Sequence, residues 1–284
     1  MNTVNFEDVV DRLEQVQKFE KYVSALCVFH IDSKPSMLVF KDGWFRCLGC
    51  GRNGNLTTLW NKISGQPVVV KSEQRTAFAG PPLREGESLE EICYQAHFDL
   101  LQFSSFQWYL EMRGLQNRIE TNEIGYIRGW YTFPVRDYEG AFQTAVLRAA
   151  PHVQQVNGQR YWCRSAPTPY VPDWYMLKNS QVIFVVYGIM DALTLSELRF
   201  PVMTSTAGNN TFHPEWLDDY RVPIFIIPDK GEEVQASRLA NSLGWRGKVL
   251  NLQYPVGVKD ANGFLEIGRP EELSKQLMSV ARKV

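Results

Sequence analysis

The sequence predicts an α/β protein with a small β-rich unit at its N-terminus. Three observations predict it. Continuous apolar runs at residues 182–186 and 223–228 alternate with helical patterns in the last third of the chain, as expected of buried parallel strands joined by crossover helices. Cysteine and histidine recur as short pairs near the start, Cys27 with His30 and Cys47 with Cys50. Between those pairs, residues 37–40 and 44–45 flank Lys41-Asp42-Gly43, the pattern of a β-hairpin.

In chain order, residues 6–17 form an amphipathic helix pattern with Val9, Val10, Leu13 and Val16 on its apolar stripe. Residues 55–63 read as a helix, with Asn55 placed to cap it. Residues 64–88 contain Gly-Gln-Pro and Ala-Gly-Pro-Pro runs, the composition of a linker. A helical pattern runs from Leu89 to about Met112, with Gly114 placed to end it. Residues 124–148 are strand-like around an Asp137–Gly140 turn, and the Pro-, Gln- and Asn-rich residues 151–172 read as loop. Strand, helix, strand, helix, strand follow at 182–186, 189–198, 223–228, 232–243 and 248–252, and a last helix at 270–282. The expected units are therefore residues 1–63, a linker at 64–88, a basic subdomain at 89–180, and an α/β sheet at 181–284.

The 284 residues are 44% hydrophobic and 21% charged, with a formal net charge of −1, as in ordinary globular proteins. No apolar run approaches the ~20 residues of a membrane helix, and the N-terminus lacks an apolar signal core. A cytoplasmic protein with no membrane partner is expected. Near-neutral net charge leaves nucleic-acid binding to local patches.

Cys27-x2-His30, sixteen intervening residues, and Cys47-x2-Cys50 supply four ligands of the kind Zn2+ takes in a tetrahedron. Four protein ligands close the site, so the zinc is expected to be structural. Cys93 and Cys163 have no partner at ligand spacing and read as ordinary small residues. Lys34, Arg46 and Trp44 lie around the knuckles, offering phosphate contacts and a stacking face for single strands. A solvated surface over a small core would have the same composition.

Each buried strand is followed by carboxylates: Asp191 after the first, Asp229, Glu232 and Glu233 after the second. Ligands of open α/β sheets sit beyond the carboxyl ends of the strands, where such groups can hold Mg2+ or Mn2+. Glu232 and Glu233 equally suit a helix N-terminus. Between Arg113 and Arg164 there are seven arginines and no lysine, against four acids. Arg113 and Arg148 belong to this basic stretch, which suits a template groove or a solvated face.

These residues resemble those of bacterial-type (DnaG-like) DNA primases. The cysteine–histidine frame, the Lys34-Pro35-Ser36 that follows its first pair, and Trp44-Phe45 before the third ligand resemble the family's zinc-binding domain. Arg113-Gly114-Leu115, Ile124-Gly125-Tyr126 and Phe133-Pro134 resemble the start of its polymerase core. Tyr187-Gly188-x-x-Asp191, Gly208, Asp229-Lys230-Gly231 and Lys259-Asp260-Ala261-Asn262 resemble its TOPRIM domain, in order. The resemblance implies a zinc ribbon followed by a primase-type core with a TOPRIM α/β sheet. It implies primer synthesis on single-stranded DNA from nucleotides, with Asp191 and Asp229 catalytic and Mg2+ held by Asp191, Asp229 and Glu232.

Two positions depart from the family. Tyr187 stands where the first TOPRIM motif has Glu, and Gly231 where the second has its second Asp. A phenol is neutral at pH 7 and a weak substitute for a carboxylate, so enzymatic activity is left open by the sequence. The alternative is an inactive primase-derived binding or recruiting subunit. Strand cleavage by Tyr187 as a nucleophile ranks last. A helicase or another replication or mobile-element protein, phage included, is the expected partner in trans.

Overall fold

The computed structural model describes residues 4–30, 32, 34–47, 52–65, 86–151, 161–163, 165–208 and 211–282. Most of the expected linker, residues 66–85, and Cys50 lie outside the described residues.

The N-terminal unit is an antiparallel sheet of five strands in the order β1 (Gln17–Lys18), β2 (Tyr22–Ala25), β3 (Met37–Phe40), β4 (Trp44–Cys47) and β5 (Asn53–Asn55). The expected hairpin pairs Met37 with Cys47 and Val39 with Phe45. Its turn closes at Gly43, whose φ of +96° suits glycine. All four residues of β3 are buried, because successive side chains point to opposite faces. Met37 and Val39 pack with Val9, Leu56 and Leu59 in the core of this unit. Leu38 and Phe40 join a second, larger core with Leu100, Trp108 and Leu110.

The first helix is shorter than expected, Phe6–Val10. It stops at Asp11, and Gln15 then adopts a φ of +52° that turns the chain into β1. The helix Leu56–Ile63 starts as expected, with Asn55 Oδ1 accepting from Thr58 N at 2.9 Å.

The helical stretch expected over Leu89–Met112 is two helices, Leu89–Gln102 and Ser104–Met112, broken at Phe103 (φ −117°, ψ 105°). The reason is tertiary. Asp42 at the hairpin tip accepts from Ser104 Oγ at 3.0 Å and Ser105 N at 3.3 Å, and so caps the second helix from another element. Gly114 ends that helix at φ +66°.

A four-stranded antiparallel sheet follows: β6 (Gly125–Ile127), β7 (Trp130–Arg136), β8 (Phe142–Ala149) and β9 (Tyr161–Cys163). Asp137 Oδ1 closes the expected β7–β8 turn by accepting from Glu139 N and Ala141 N. The stretch expected to be loop, 151–172, contains β9 and also β10 (Pro169–Tyr170). Both are too short to show an alternating pattern, and Pro169 is tolerated because β10 is an edge strand.

The last sheet has the order β10, β12 (Val202–Ser205), β11 (Ile183–Val185), β13 (Ile224–Ile226) and β14 (Gly247–Val249). β12, β11, β13 and β14 are parallel, and β10 runs antiparallel at the edge. The α/β class is as expected, while β10 and β12 are additional strands. The helices Ile189–Glu197, Glu233–Ser242 and Pro270–Ala281 match the predicted ones within a few residues. A short helix, Asn262–Glu266, adds to them. The chain winds from β11 to β12 on one side and then to β13 on the other, so the loops after β11 and β13 diverge. A crevice at the carboxyl ends of the strands follows from that reversal.

Candidate metal centre and acidic cavity

Cys27 lies just beyond β2 and Cys47 ends β4, so the pairing of β2, β3 and β4 brings the two knuckles together. Donor atoms of Cys27, His30 and Cys47 all lie within 4.8 Å of one another. Both cysteines are buried. Phe29 N points at Cys27 Sγ at 3.4 Å, the amide-to-sulfur contact expected of a knuckle. Three convergent soft and borderline donors fit zinc.

Asp32 was not singled out from the sequence. Its Oδ2 accepts from Cys27 N at 3.0 Å and from Ser36 Oγ at 2.5 Å, and its Oδ1 lies 3.8 Å from His30 Nε2. The Ser36 hydroxyl first, then the Cys27 amide, hold its carboxyl below the usual range. A carboxylate behind a ligating histidine is the usual outer partner of such a site, and its two-residue offset from His30 is the signal that would have found it.

Lys34 is exposed beside the knuckles. Trp44 and Arg46 are turned toward the helix Ser104–Met112 instead. The Trp44 ring lies 6.1 Å from Phe106, and the Arg46 guanidinium lies 5.5 Å from the Trp108 ring. With Lys21–Glu111 at 2.9 Å and the Asp42 cap, they hold the ribbon against the rest of the chain.

At the carboxyl ends of β11 and β13 a cavity of about 620 Å³ opens. Its wall brings together Arg113, Arg148, Tyr187, Asp191, Asp229 and Asp260. Four of these are residues expected from the sequence to act, drawn from three parts of the chain. Asp260 was legible only within the Lys-Asp-x-Asn resemblance.

Asp191 sits in the first turn of the helix Ile189–Glu197 and is 6% exposed. Its Oδ1 accepts from Asn262 N at 2.8 Å. Burial raises its pKa well above the carboxylate range, and the charges of Asp229 and Asp260 raise it further. A Cβ at Gly188 would stand 2.7 Å from Asp191 Oδ2, so a larger residue there would push the carboxylate aside. Tyr187 is 7% exposed, and its hydroxyl is buried with no hydrogen-bond partner. Burial, then Glu232, then Asp229, raise its pKa above the ordinary phenol value, so it stays neutral.

Glu232 is not part of the cavity wall. It is the residue before the helix Glu233–Ser242, and its Oε2 is buried without a hydrogen-bond partner. Glu233 Oε1 accepts from Gly231 N at 3.1 Å, the helix-start role open to it from the sequence.

Arg148, which also lines the cavity, is 4% exposed. Its Nε donates to Tyr109 Oη at 2.8 Å, and its guanidinium lies 4.9 Å from the Tyr161 ring. Arg113 Nη1 reaches Asn262 Oδ1 at 2.8 Å and Glu266 Oε1 at 2.5 Å. Asn262, like Asp260, was legible only within the Lys-Asp-x-Asn resemblance, and Glu266 was missed because a five-residue helix leaves no periodic signal. Among the described residues, three-donor groups within 4.8 Å of one another are confined to the zinc ligands. Asp191, Asp229 and Asp260 line the cavity but do not form such a three-donor group.

Comparison with known proteins bears on the zinc ribbon. Residues 1–73 match the CHC2 zinc finger, the DnaG-type zinc ribbon. A DNA primase of Enterococcus faecalis is 30% identical over 147 residues, covering 43% of this chain and 23% of the relative. The chain is thus similar to DnaG-like primases, most specifically over its zinc ribbon. A DNA primase of Halalkalibacterium halodurans is 26% identical over 144 residues, covering 44% of this chain and 24% of that protein. The chain thus spans about a quarter of the length of the curated relatives it matches. Among solved structures, the zinc-binding and RNA polymerase domains of the Aquifex aeolicus primase align over 97% of this chain and 83% of that one, at 18% identity and a TM-score of 0.49. A DnaG primase catalytic domain bound to single-stranded DNA aligns over 67% of this chain and 79% of that one, at 14% identity and a TM-score of 0.47. No helix among the described residues is long and apolar enough to cross a membrane.

Proposed function

We propose that this chain is a primase-like replication protein that binds single-stranded DNA and takes a nucleotide, with its divalent cation, in the acidic cavity. The observation that carries the reading is the meeting of Asp191, Asp229, Arg113 and Arg148 in one cavity wall. Phosphoryl chemistry needs cations for the phosphates and carboxylates for the metal, side by side. Asp191 and Asp229 are the catalytic pair of this reading. Both would also hold Mg2+ or Mn2+, and Glu232 would do so only if its loop turned it toward Asp229. The metal would supply charge neutralisation at the attacking and leaving oxygens. The chain's own part is placement: Arg113 and Arg148 orient phosphates, and Asp191 is held by the Asn262 amide.

In this reading residues 1–63 form the template-engaging ribbon, 64–88 the linker, 89–180 the basic subdomain and 181–284 a TOPRIM domain. Of the three ribbon residues named, Lys34 is open to a strand, while Trp44 and Arg46 would reach DNA only where it crosses the contact with Phe106 and Trp108. A helicase or another replication or mobile-element protein, phage included, is the partner class that fits.

Tyr187 favours a second reading, binding without synthesis. A neutral phenol stands on the cavity wall where the family motif has a carboxylate, which lowers the charge available to a cation. A primer-synthesis assay on single-stranded DNA with labelled ribonucleotides and dNTPs, Mg2+ or Mn2+, and Asp229→Ala as control separates the two. Short products lost in Asp229→Ala mean synthesis. Single-strand binding without products means a primase fold used for recognition.

A further inference from the structure

Arg113 carries two contacts of opposite kind. Asn262 is 1% exposed and neutral. Its Oδ1 accepts from Arg113 Nη1 at 2.8 Å, and its Nδ2 donates to Arg113 O at 3.0 Å and Thr194 Oγ1 at 2.8 Å. Its backbone N donates to Asp191 Oδ1. One buried amide side chain thus ties Arg113 to the helix that bears Asp191. Glu266 is charged and lies at the other end of the same short helix, on the cavity wall. Its side chain is 38% exposed, and it takes the same Nη1 of Arg113 at 2.5 Å.

The two contacts respond differently to an incoming anion. Asn262 is locked by bonds on both ends of its amide and bears no charge, so a phosphate does not compete with it. Glu266 neutralises the guanidinium from the solvent side, and a phosphate oxygen entering the cavity would compete for the same donor. Because its carboxylate is partly in water, Glu266 can leave without stranding a buried charge.

We propose that Glu266 masks Arg113 against phosphate-bearing ligands and that Asn262 keeps the guanidinium in the cavity wall when the mask opens. The pair sets how tightly the cavity takes a nucleotide phosphate or a nucleic-acid phosphate. This inference rests on the reading of the cavity as a phosphate site.

The test compares the full chain with Glu266→Gln, Glu271→Gln, Asn262→Ser and the Glu266→Gln/Asn262→Ser pair. Each is titrated with Mg2+·ATP and with a fluorescein-labelled single-stranded 12-mer at low and high salt. Glu271 is an exposed residue of the last helix, so its variant removes the same charge away from the cavity. Glu266→Gln is expected to tighten binding of at least one probe by roughly two- to fivefold at low salt, the range of a partly exposed ion pair. The gain shrinks at high salt, and Glu271→Gln matches the parent. Gain with ATP alone assigns the mask to nucleotide phosphate, and gain with the 12-mer alone to backbone phosphate. Asn262→Ser weakens binding and reduces the gain from Glu266→Gln in the double variant. Should Asn262→Ser not fold, Thr194→Val, which removes one of its bonds, takes its place. Glu266→Gln binding no tighter than Glu271→Gln, with a parent that binds, overturns the mask alone. No binding of either probe by any variant overturns the reading of the cavity, and the mask with it.

Discussion

Asp42 caps a helix that belongs to a different unit, and its replacement by alanine tests whether the ribbon is docked as described. The side chain accepts from Ser104 Oγ and Ser105 N at the start of the helix Ser104–Met112. Its truncation leaves one backbone N–H and one hydroxyl to water. Losing an N-cap costs about 1 kcal/mol, and an exposed position such as this belongs near that value, not above it. For a chain of this size that corresponds to a fall of roughly 2–4 °C in Tm. Asp42→Asn keeps an acceptor and should retain most of the stability. Urea denaturation gives the global effect. Hydrogen exchange gives the local one, with faster exchange at Ser105 and Phe106 in Asp42→Ala. Because Asp42 also forms the hairpin turn, the exchange result decides. Destabilisation confined to residues 37–47, with the helix amides unchanged, would refute the inter-unit cap.

Phe40→Ala, at a position 1% exposed in the larger core, should cost about 3–5 kcal/mol, read from the urea midpoint. Asp191→Asn should stabilise the protein at neutral pH without added divalent cation. Its folded pKa is raised, so the parent loses stability as pH climbs from the ordinary carboxylate range toward the folded value, and urea midpoints at pH 4 and pH 8 should show that slope only in the parent. Gly188→Ala places a methyl 2.7 Å from Asp191 Oδ2, and about 1–3 kcal/mol of destabilisation is expected by thermal melting. Cys47→Ser should lower bound zinc below one per chain by metal analysis and loosen the core around Met37 and Phe45.

Much of this arrangement is readable without coordinates where the determinants are local. Cys27, His30 and Cys47 converge because two knuckles and a hairpin are all short-range features. The buried strands around Phe184 and Phe225 are visible as apolar runs, and Asp191 and Asp229 follow from their positions just past them. What escapes the sequence is decided at long range. The break at Phe103 depends on Asp42, which lies 62 residues from Ser104. Arg113 is fixed by Asn262, 149 residues away. β12 reads Val-Met-Thr-Ser, too short and too polar at its end to stand out. Trp44 and Arg46 have the composition of a nucleic-acid surface, but cation and aromatic pairs serve an internal contact equally well.

The ribbon's central strand has no outside. With Met37 and Val39 in one core and Leu38 and Phe40 in the other, β3 is a party wall between two rooms. A ribbon cut free at residue 65 would therefore present Leu38, Phe40 and Tyr22 to water as a sticky face. Transplanting it onto another protein would require either a new cover for that face or polar replacements at those three positions. The portable part of this module is its metal frame, not its whole surface.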